Sequence, residues 1–319
     1  MSNFTPSRPG LVAGNADPRE IFLKVFSGEV LTAFETKVIL KSLHQVRNIS
    51  SGKSAQFPLT WKTGTEYHTP GEEIDGASIK SGEKVITIDD LLISPIFVAN
   101  IDEAMSHFEV RGTYSTEMGR ALALAYDRNV CRNILLAARG AAQIDGEADS
   151  AGAFLQDADG ATNATSLADS LIVAKQTLDE KDVPVDERIY AAVRTALWYL
   201  LSRETSVVMN GDVGRGDWAA GRIPLIGGVD VVKSNAFVFG TNDASNTDIP
   251  TAYRGNWTNA LGVVFHPKAA ATVELLGLGM DVEYSARHQG TLMVGKYAVG
   301  HGPLLHRCAV EIGTGSTAG

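Results

Sequence analysis

The stretch that most constrains the fold runs from Ile101 to Ala142, because it contains no proline and can form one uninterrupted element. Apolar residues recur along it at three- and four-residue steps, the spacing of a helix that buries one stripe. We predict a single helix over about 102–140, at about 1.5 Å per residue more than 50 Å long. The predicted core stripe contains Met105, Phe108, Tyr114, Met118 and Leu122.

The other side of this predicted helix is polar. Glu117 and Arg120 are spaced to form a weak ion pair on that side. A helix longer than the diameter of a small compact domain acts as a strut, so we expect an extended protomer whose shape matters for its function. The residues assigned to the polar face are Arg111, Ser115, Glu117, Arg120, Asp127, Arg128, Arg132 and Arg139.

Charge and hydropathy exclude several classes of protein. The 319 residues carry a formal net charge of −9, and lysine and arginine form no cluster of the kind that grips phosphates, so direct DNA binding is not expected. No apolar run reaches the roughly 20 residues that span a bilayer, and the first residues lack the apolar centre of a signal peptide. We therefore expect a protein that stays in the cytoplasm and has no membrane partner.

No group of residues has the pattern of a catalytic, cofactor or metal site. Cys131 and Cys308 lie far apart without ligand-spaced neighbours, which favours buried reduced thiols. Gly52-Lys53-Ser54 resembles the end of a phosphate-binding loop, but Arg47 stands where the first glycine is needed. Structural roles are favoured for the isolated histidines, and Asp89 and Asp90 face opposite ways if they lie on a strand. The histidines concerned are His266, His301 and His306.

Two alternating segments around a polar, turn-rich stretch predict a hairpin. The strands are placed near Ala55–Thr63 and Glu83–Leu91, and the tip at Gly64–Gly82. An isolated two-stranded hairpin is marginal in water, so we expect this one to lie on another surface, that of a neighbouring subunit. The predicted inter-subunit contacts at the tip are Glu66, Glu72, Glu73, Asp75 and Lys80.

The segments on either side contain further elements. Helical spacing is present from Phe22 to Leu40, and residues 146–165 have the composition of a loop. We predict a helix that Ser166 caps, with Asp169 three residues on, and that ends before Pro184.

The region from Pro184 to Gly277 predicts a compact α+β unit. Its elements in order are a strand at 188–193, a helix at 194–203, a hairpin of two strands joined at Gly227 and Gly228, a strand at 261–267, and a helix from Pro267 to Gly277.

Five segments, in this order, resemble the major capsid proteins of T-seven-like podoviruses. They are FLKVFSGEVLTAFE (22–35), VRNISSGKSAQFP (46–58), GEKVITIDDLL (82–92), NIDEAMSHFEVR (100–111) and KYAVGHG (296–302). The resemblance is strongest over residues 22–125 and returns near the C-terminus. Between 142 and 291 it lies in the order of elements more than in the letters.

This resemblance implies an α+β fold of the Hong Kong 97 type. It divides the chain into an N-terminal arm (1–54), an extended loop (55–94), a peripheral domain with the spine helix (95–184 and 278–319) and an axial domain (185–277). It also implies a structural protein without cofactors that assembles with itself into hexamers and pentamers of an icosahedral shell around double-stranded DNA. A scaffolding protein, a portal protein and a decoration protein are the implied partners, and the virion, assembled in the host cytoplasm, is the implied location.

Two alternatives are retained at this point. An encapsulin-like nanocompartment shell shares the fold but packs enzymes, and a groove for a cargo peptide would distinguish it. An unrecognised enzyme would need an activity that is lost when His301 or His306 is changed, and no catalytic constellation in the sequence supports one.

Overall fold

The computed structural model describes residues 29–35, 37–71, 73, 76, 78–101, 110–184, 187–204 and 225–315. Its helices are α1 (Val110–Ala138), α2 (Ala164–Glu180) and α3 (Thr195–Arg203). Its strands are β1 (Gln45–Asn48), β2 (Ser54–Thr60), β3 (Ser81–Thr87), β4 (Leu92–Ala99), β5 (Ala153–Gln156), β6 (Ile189–Val193), β7 (Val229–Lys233), β8 (Ala260–Phe265), β9 (Ala270–Ser285), β10 (Gly290–Pro303) and β11 (Ala309–Gly313). The fold is α+β, as predicted.

The long helix α1 lies at the centre of the molecule. Met118 and Leu122 are buried, and half-buried Tyr114 packs with Met118 in a cluster that also contains β4 and β10 side chains. Met105 and Phe108 lie outside the described residues. From Val130 to Ala138 nearly every residue is buried, whichever side of the helix it occupies. The C-terminal half of α1 is therefore a core helix rather than a strut with one wet face.

A helical segment at residues 29–35 crosses α1 at close range. Gly119 makes this approach possible, because a Cβ atom there would lie 2.5 Å from the carbonyl oxygen of Val30 and 2.8 Å from the Cβ of Ala33. Phe34 then inserts beside Tyr126 and Tyr297, with ring centroids 5.9 and 5.6 Å away. A glycine weakens a helix interior, and here it is retained for packing.

Two larger sheets pack around α1. The first has the order β1-β9-β10-β4, in which β1 and β9 are parallel and the remaining pairs are antiparallel. The second has the order β5-β11-β8-β6-β7, with parallel pairs at both edges. Since β5 and β11 complete a sheet with β6, β7 and β8, this sheet joins the predicted 185–277 unit to segments on both sides of it in the chain.

The predicted helix from Pro267 to Gly277 is wrong, because strand β9 occupies residues 270–285. Only Pro267–Ala269 forms a short 3-10 turn. Both faces of the first half of β9 are covered: Ala271 and Val273 pack against β2 and β3, and the Thr272 hydroxyl bonds His44 and His301 on the other side. A strand buried on both faces is continuously apolar, so periodicity does not distinguish it from a buried helix.

The predicted hairpin at Gly227 and Gly228 is also wrong in part. These glycines form a tight turn with positive φ, closed by a single bridge between Ile226 and Val229. Beyond the turn, β7 pairs in parallel with β6, and of the residues just before the turn only Leu225 and Ile226 are described. The alternation identified the strand, but the partner came from elsewhere in the chain.

The cap of α2 is three residues earlier than predicted. The side chain of Asn163 accepts hydrogen bonds from the backbone N–H groups of Thr165 and Ser166, so Asn163 is the N-cap. The Ser166 hydroxyl instead donates to Asp157. Asp157 follows β5, a strand within residues 146–165, which the sequence composition predicts to be a loop.

Candidate functional site

The base of the hairpin is built on its own chain. Strands β2 and β3 pair antiparallel from Ser54↔Thr87 to Thr60↔Ser81, which confirms the predicted hairpin. Their inner face buries Phe57, Leu59 and Ile86 against Val273 and Leu304. The expectation that the hairpin rests on a neighbouring subunit is therefore wrong for its base, because a two-stranded ribbon with one apolar face finds its support within the same protomer.

Beyond this base the hairpin is exposed. One backbone bond, from Trp61 N to Lys80 O (3.0 Å), continues the ladder past the paired strands. The side chains of Glu66, Tyr67, Glu73 and Ile79 are exposed, Tyr67 completely and Ile79 by 55%. Glu72 and Asp75 lie outside the described residues. The acidic tip predicted as an inter-subunit contact thus has free side chains at Glu66 and Glu73, and its role stays a prediction.

Two lysines join the start of the exposed part to the body. Lys62 pairs with Asp182, which follows α2, and Lys80 pairs with Glu147 at 2.7 Å and donates to the carbonyl of Asp145 at 3.1 Å. The pKa values of Asp182 and Glu147 are lowered because these lysines donate hydrogen bonds to the carboxylates. Lys80, predicted to contact a neighbour, therefore contacts its own chain.

Trp61, next to Lys62, lines a small pocket. The Arg307 guanidinium lies 5.0 Å from the centre of the indole ring. Leu59, Gln143, Ile144 and Leu305 are among the other residues that line the pocket. Arg307 Nε and Nη1 are buried, and no acceptor for either lies among the described residues.

Part of the polar face predicted for α1 is turned inward, and the side chain of Arg111 lies outside the described residues. Arg132 donates two hydrogen bonds to Asp243, at 2.9 and 2.8 Å. Arg139 donates two to Glu311, both at 2.6 Å, and its guanidinium lies 4.6 Å from the ring of Trp257. Of the set listed above, Glu117, Arg120 and Arg128 are exposed, and the predicted Glu117–Arg120 pair forms at 3.5 Å.

Arg132 and Arg139 attach α1 to the second sheet. Glu311 lies on β11 and Asp243 in the connection between β7 and β8, so α1 holds both through charge-assisted, two-bond contacts. Polar residues at helical spacing predict a solvent-exposed face of the helix. No signal in the sequence distinguishes a buried ion pair from an exposed charge. The partners are more than 100 residues away in the chain.

Asp127 caps the segment that precedes β1. Its carboxylate accepts hydrogen bonds from the backbone N–H groups of Ile39 and Leu40, at 3.0 Å each. Burial raises the pKa of this carboxyl to about 6, while the two N–H donors act in the opposite direction. The residue therefore has a structural role in joining the N-terminal segment to α1.

Two buried histidines share one hydroxyl. Thr272 Oγ1 lies 2.7 Å from His44 Nε2 and 2.8 Å from His301 Nδ1. Burial lowers the pKa of His44 to about 4 and that of His301 to about 3, so both rings are neutral near pH 7. Tyr253 links this group to the hairpin exit, since it accepts from His301 N at 2.7 Å and donates to Asp89. The group binds elements together and places no histidine beside a nucleophile.

The remaining candidates for chemistry are buried and inert. Cys131 and Cys308 are free and buried, and burial raises the thiol pKa values to about 12 and about 11. Within the described ranges, no group of three or more histidine, cysteine or acidic side chains is placed to hold a metal ion. In the same part of the chain, no helix is long and apolar enough to cross a membrane.

Known proteins match this arrangement over nearly its full length. The family model of Gp10A-like major capsid proteins matches residues 56–313. The major capsid protein of Escherichia phage T7 is 32% identical over 325 residues, covering 92% of each chain. That of Enterobacteria phage T3 is 30% identical over 338 residues, covering 93% of this chain and 92% of the relative. A solved capsid structure of the cyanophage P-SCSP1u superimposes with a TM-score of 0.77 at 39% identity, covering 98% of this chain and 99% of that one.

Proposed function

This chain belongs to the family of Gp10A-like major capsid proteins, and on that premise we propose how its parts act in the shell. It is the major capsid protein of a tailed bacteriophage, a structural protein with the Hong Kong 97-type fold that assembles with copies of itself. We propose that the copies form hexamers and pentamers of an icosahedral shell that encloses double-stranded DNA. The encapsulin-like alternative has less support, because the relatives that match in sequence are phage capsid proteins.

One structural observation carries the proposal for assembly. The hairpin is anchored on its own body at the base, while its far part exposes Glu66, Tyr67, Glu73 and Ile79. An exposed ribbon with apolar and acidic side chains gains by covering another surface. We propose that residues 63–79 lie on an adjacent copy, with the predicted contact residues Glu66, Glu72, Glu73 and Asp75 facing basic side chains there.

The division of labour follows the predicted segments. We propose that residues 1–54 act as the arm, 55–94 as the extended loop, 95–184 with 278–319 as the peripheral domain, and 185–277 as the axial domain at the capsomer centre. The second sheet runs through both the axial and the peripheral segments, which supports a single rigid body beneath the hairpin. Scaffolding, portal and decoration proteins are proposed as partners, and assembly is proposed to occur in the host cytoplasm.

Packaged DNA is proposed to touch the shell without sequence-specific contact. With a net charge of −9, the protein releases few counterions from a duplex and so adheres weakly. Purified shells should show at most weak, salt-sensitive affinity for free duplex. Tight binding at physiological salt, measured by fluorescence anisotropy, would contradict this part of the proposal.

Removing the tip tests the assembly proposal. Replacing residues 64–77 with Asn-Gly keeps Lys62, Lys80 and the paired strands, because that dipeptide suits the twist of a hairpin. The variant should keep a native-like circular dichroism spectrum but sediment as small oligomers. Normal shells by negative-stain microscopy would overturn the proposed role of the tip.

A second variant keeps the native length of the tip and changes only its charge, which separates the effect of charge from that of length. The four acidic side chains are neutralised together, as Glu66→Gln, Glu72→Gln, Glu73→Gln and Asp75→Asn. If the acidic contacts matter, shells form poorly and recover little at high salt. If this variant assembles normally and the shortened one does not, the length of the hairpin matters and its charge does not.

A further inference from the structure

The buried apolar side chains that support the hairpin are confined to its base. The buried inner face comprises Ala55, Phe57 and Leu59 on β2 and Ile86 on β3. The next residues outward, Thr60 and Ser81, are exposed, and from there to the tip no apolar side chain of the described residues is buried. Whatever orients the outer part must therefore act through polar contacts.

Two such contacts lie on opposite strands. Lys62 on the outgoing side pairs with Asp182, and Lys80 on the returning side pairs with Glu147 at 2.7 Å. Asp182 follows α2 and Glu147 lies between α1 and β5, so the two carboxylates come from separate parts of the body. One attachment would leave a ribbon free to swing about a point, whereas two attachments on opposite strands define its direction.

Trp61, next to Lys62, also contacts the body. Trp61 lies over a pocket in which two buried N–H groups of Arg307 have no acceptor among the described residues. The indole lies beside the guanidinium, and the Trp61 side chain also hydrogen-bonds to Glu147, the partner of Lys80. Trp61 therefore adds area to the same contact, while the two lysines carry the charges that join the hairpin to the body.

We propose that Lys62 and Lys80, with Asp182 and Glu147, form an ionic latch that sets the direction in which residues 63–79 leave the body. The lysines are positioning residues for the contact with a second copy, so this inference rests on the proposed function of the tip. Lys62, Asp182 and Lys80 are exposed by 43%, 71% and 49% of their side chains, and exposed pairs are weakened by salt. The latch is therefore reversible, and it allows a protomer to be placed, released and placed again.

The direction of the hairpin is measurable in the unassembled protein. Spin labels on Thr65→Cys and Arg128→Cys place one probe on the tip and one on the exposed face of α1, while the native cysteines are buried and stay unlabelled. Pulsed electron paramagnetic resonance then reports the distribution of distances between the two spin labels. We expect a narrow distribution at low salt that broadens at 1 M salt, where the screening length is about 3 Å.

Charge reversal and charge exchange isolate the latch. Lys62→Glu with Lys80→Glu should broaden the distribution at low salt and reduce assembled shells at least tenfold. Adding Glu147→Lys restores one pair with reversed signs, so it should narrow the distribution again and recover part of the assembly. Lys53→Glu reverses one exposed lysine next to the base of the hairpin, outside the latch, and should alter neither measurement.

The outcomes separate this inference from the proposed function beneath it. If the reversed variant keeps the narrow distribution, or if the exchanged variant fails to recover it, the latch is wrong whatever happens to assembly. If the distribution broadens while shells form normally, the lysines set the direction of the hairpin but are not positioning residues for the contact with a second copy, and the latch fails as a device of assembly. The variant that lacks residues 64–77 tests the role of the tip separately.

Discussion

The helix α1 and the hairpin β2–β3 place their charged residues in different surroundings. At the C-terminal end of α1, Arg132 and the following Arg139 each make two-bond contacts with a buried or half-buried carboxylate, whereas Glu117, Arg120 and Arg128 are exposed. The hairpin has one buried face at its base and exposes its charges further out. In the described residues, the charge pairs that hold α1 in the fold thus lie apart from the exposed hairpin side chains that are proposed to contact other copies.

The largest expected effect is on α1. Leu122→Pro removes a backbone hydrogen bond and clashes with the preceding turn, at about 3 kcal/mol or more, and it also loses a fully buried side chain that contacts Gly295. Soluble protein and shells should both be lost. Leu122→Met, which conserves volume, is the control and should assemble. A proline variant that assembles normally would mean that α1 is not the central element described above.

Breaking a buried ion pair should come next. Arg139→Met leaves Glu311, whose side chain is 1% exposed, without its partner, and should lower the free energy of unfolding by about 3–5 kcal/mol in urea. The double variant Arg139→Met with Glu311→Leu removes the orphaned charge and should recover most of the loss. If the single and double variants are equally unstable, the pair contributes through packing and not through charge.

A smaller effect depends on pH and is specific to Asp127. Its folded pKa, about 6, lies above the ordinary value of 3.8, so its contribution to stability is complete below about pH 3.8 and is lost as pH rises through 6. A shift of this size corresponds to about 3 kcal/mol at most. Asp127→Asn should gain stability relative to the wild type between pH 4 and 7, measured as the difference in urea midpoints. A difference that does not change with pH contradicts the assignment.

The smallest effect on global stability should come from the hairpin. Phe57→Ala removes the largest buried side chain at its base, worth about 3–5 kcal/mol of local packing. Because β2 and β3 are attached at one side of the body, we expect them to open alone, with faster amide exchange there and unchanged exchange in α1. Gln56→Ala on the exposed face is the control. If Phe57→Ala accelerates exchange in α1 equally, fold and hairpin are one cooperative unit and the contrast between them fails.

Local patterns predicted the elements whose neighbours leave one face wet. The alternation in β2 and β3 and the helix after Asn163 appear where the spacing indicated them. The strand at 189–193 also appears, although four of its five residues are buried. Prediction failed where both faces are covered, as in β9, since a continuous apolar run has no period. It failed also for the polar residues of α1, because Asp243 and Glu311 are distant in the chain and nothing local indicates an ion-pair partner.

The sequence by itself determined the long helix, the hairpin with an acidic tip, the absence of a catalytic pattern and, through five short segments, the capsid protein family. These depend on residue type and short-range spacing, which a single chain displays directly. Only the tertiary structure decided that the hairpin rests on its own body, that Lys62 and Lys80 join it there, and that Arg132 and Arg139 pair with distant carboxylates. Each of these depends on which distant segment supplies the neighbouring surface. Burial and ion pairing arise only when two segments are in contact, so neither segment alone displays them.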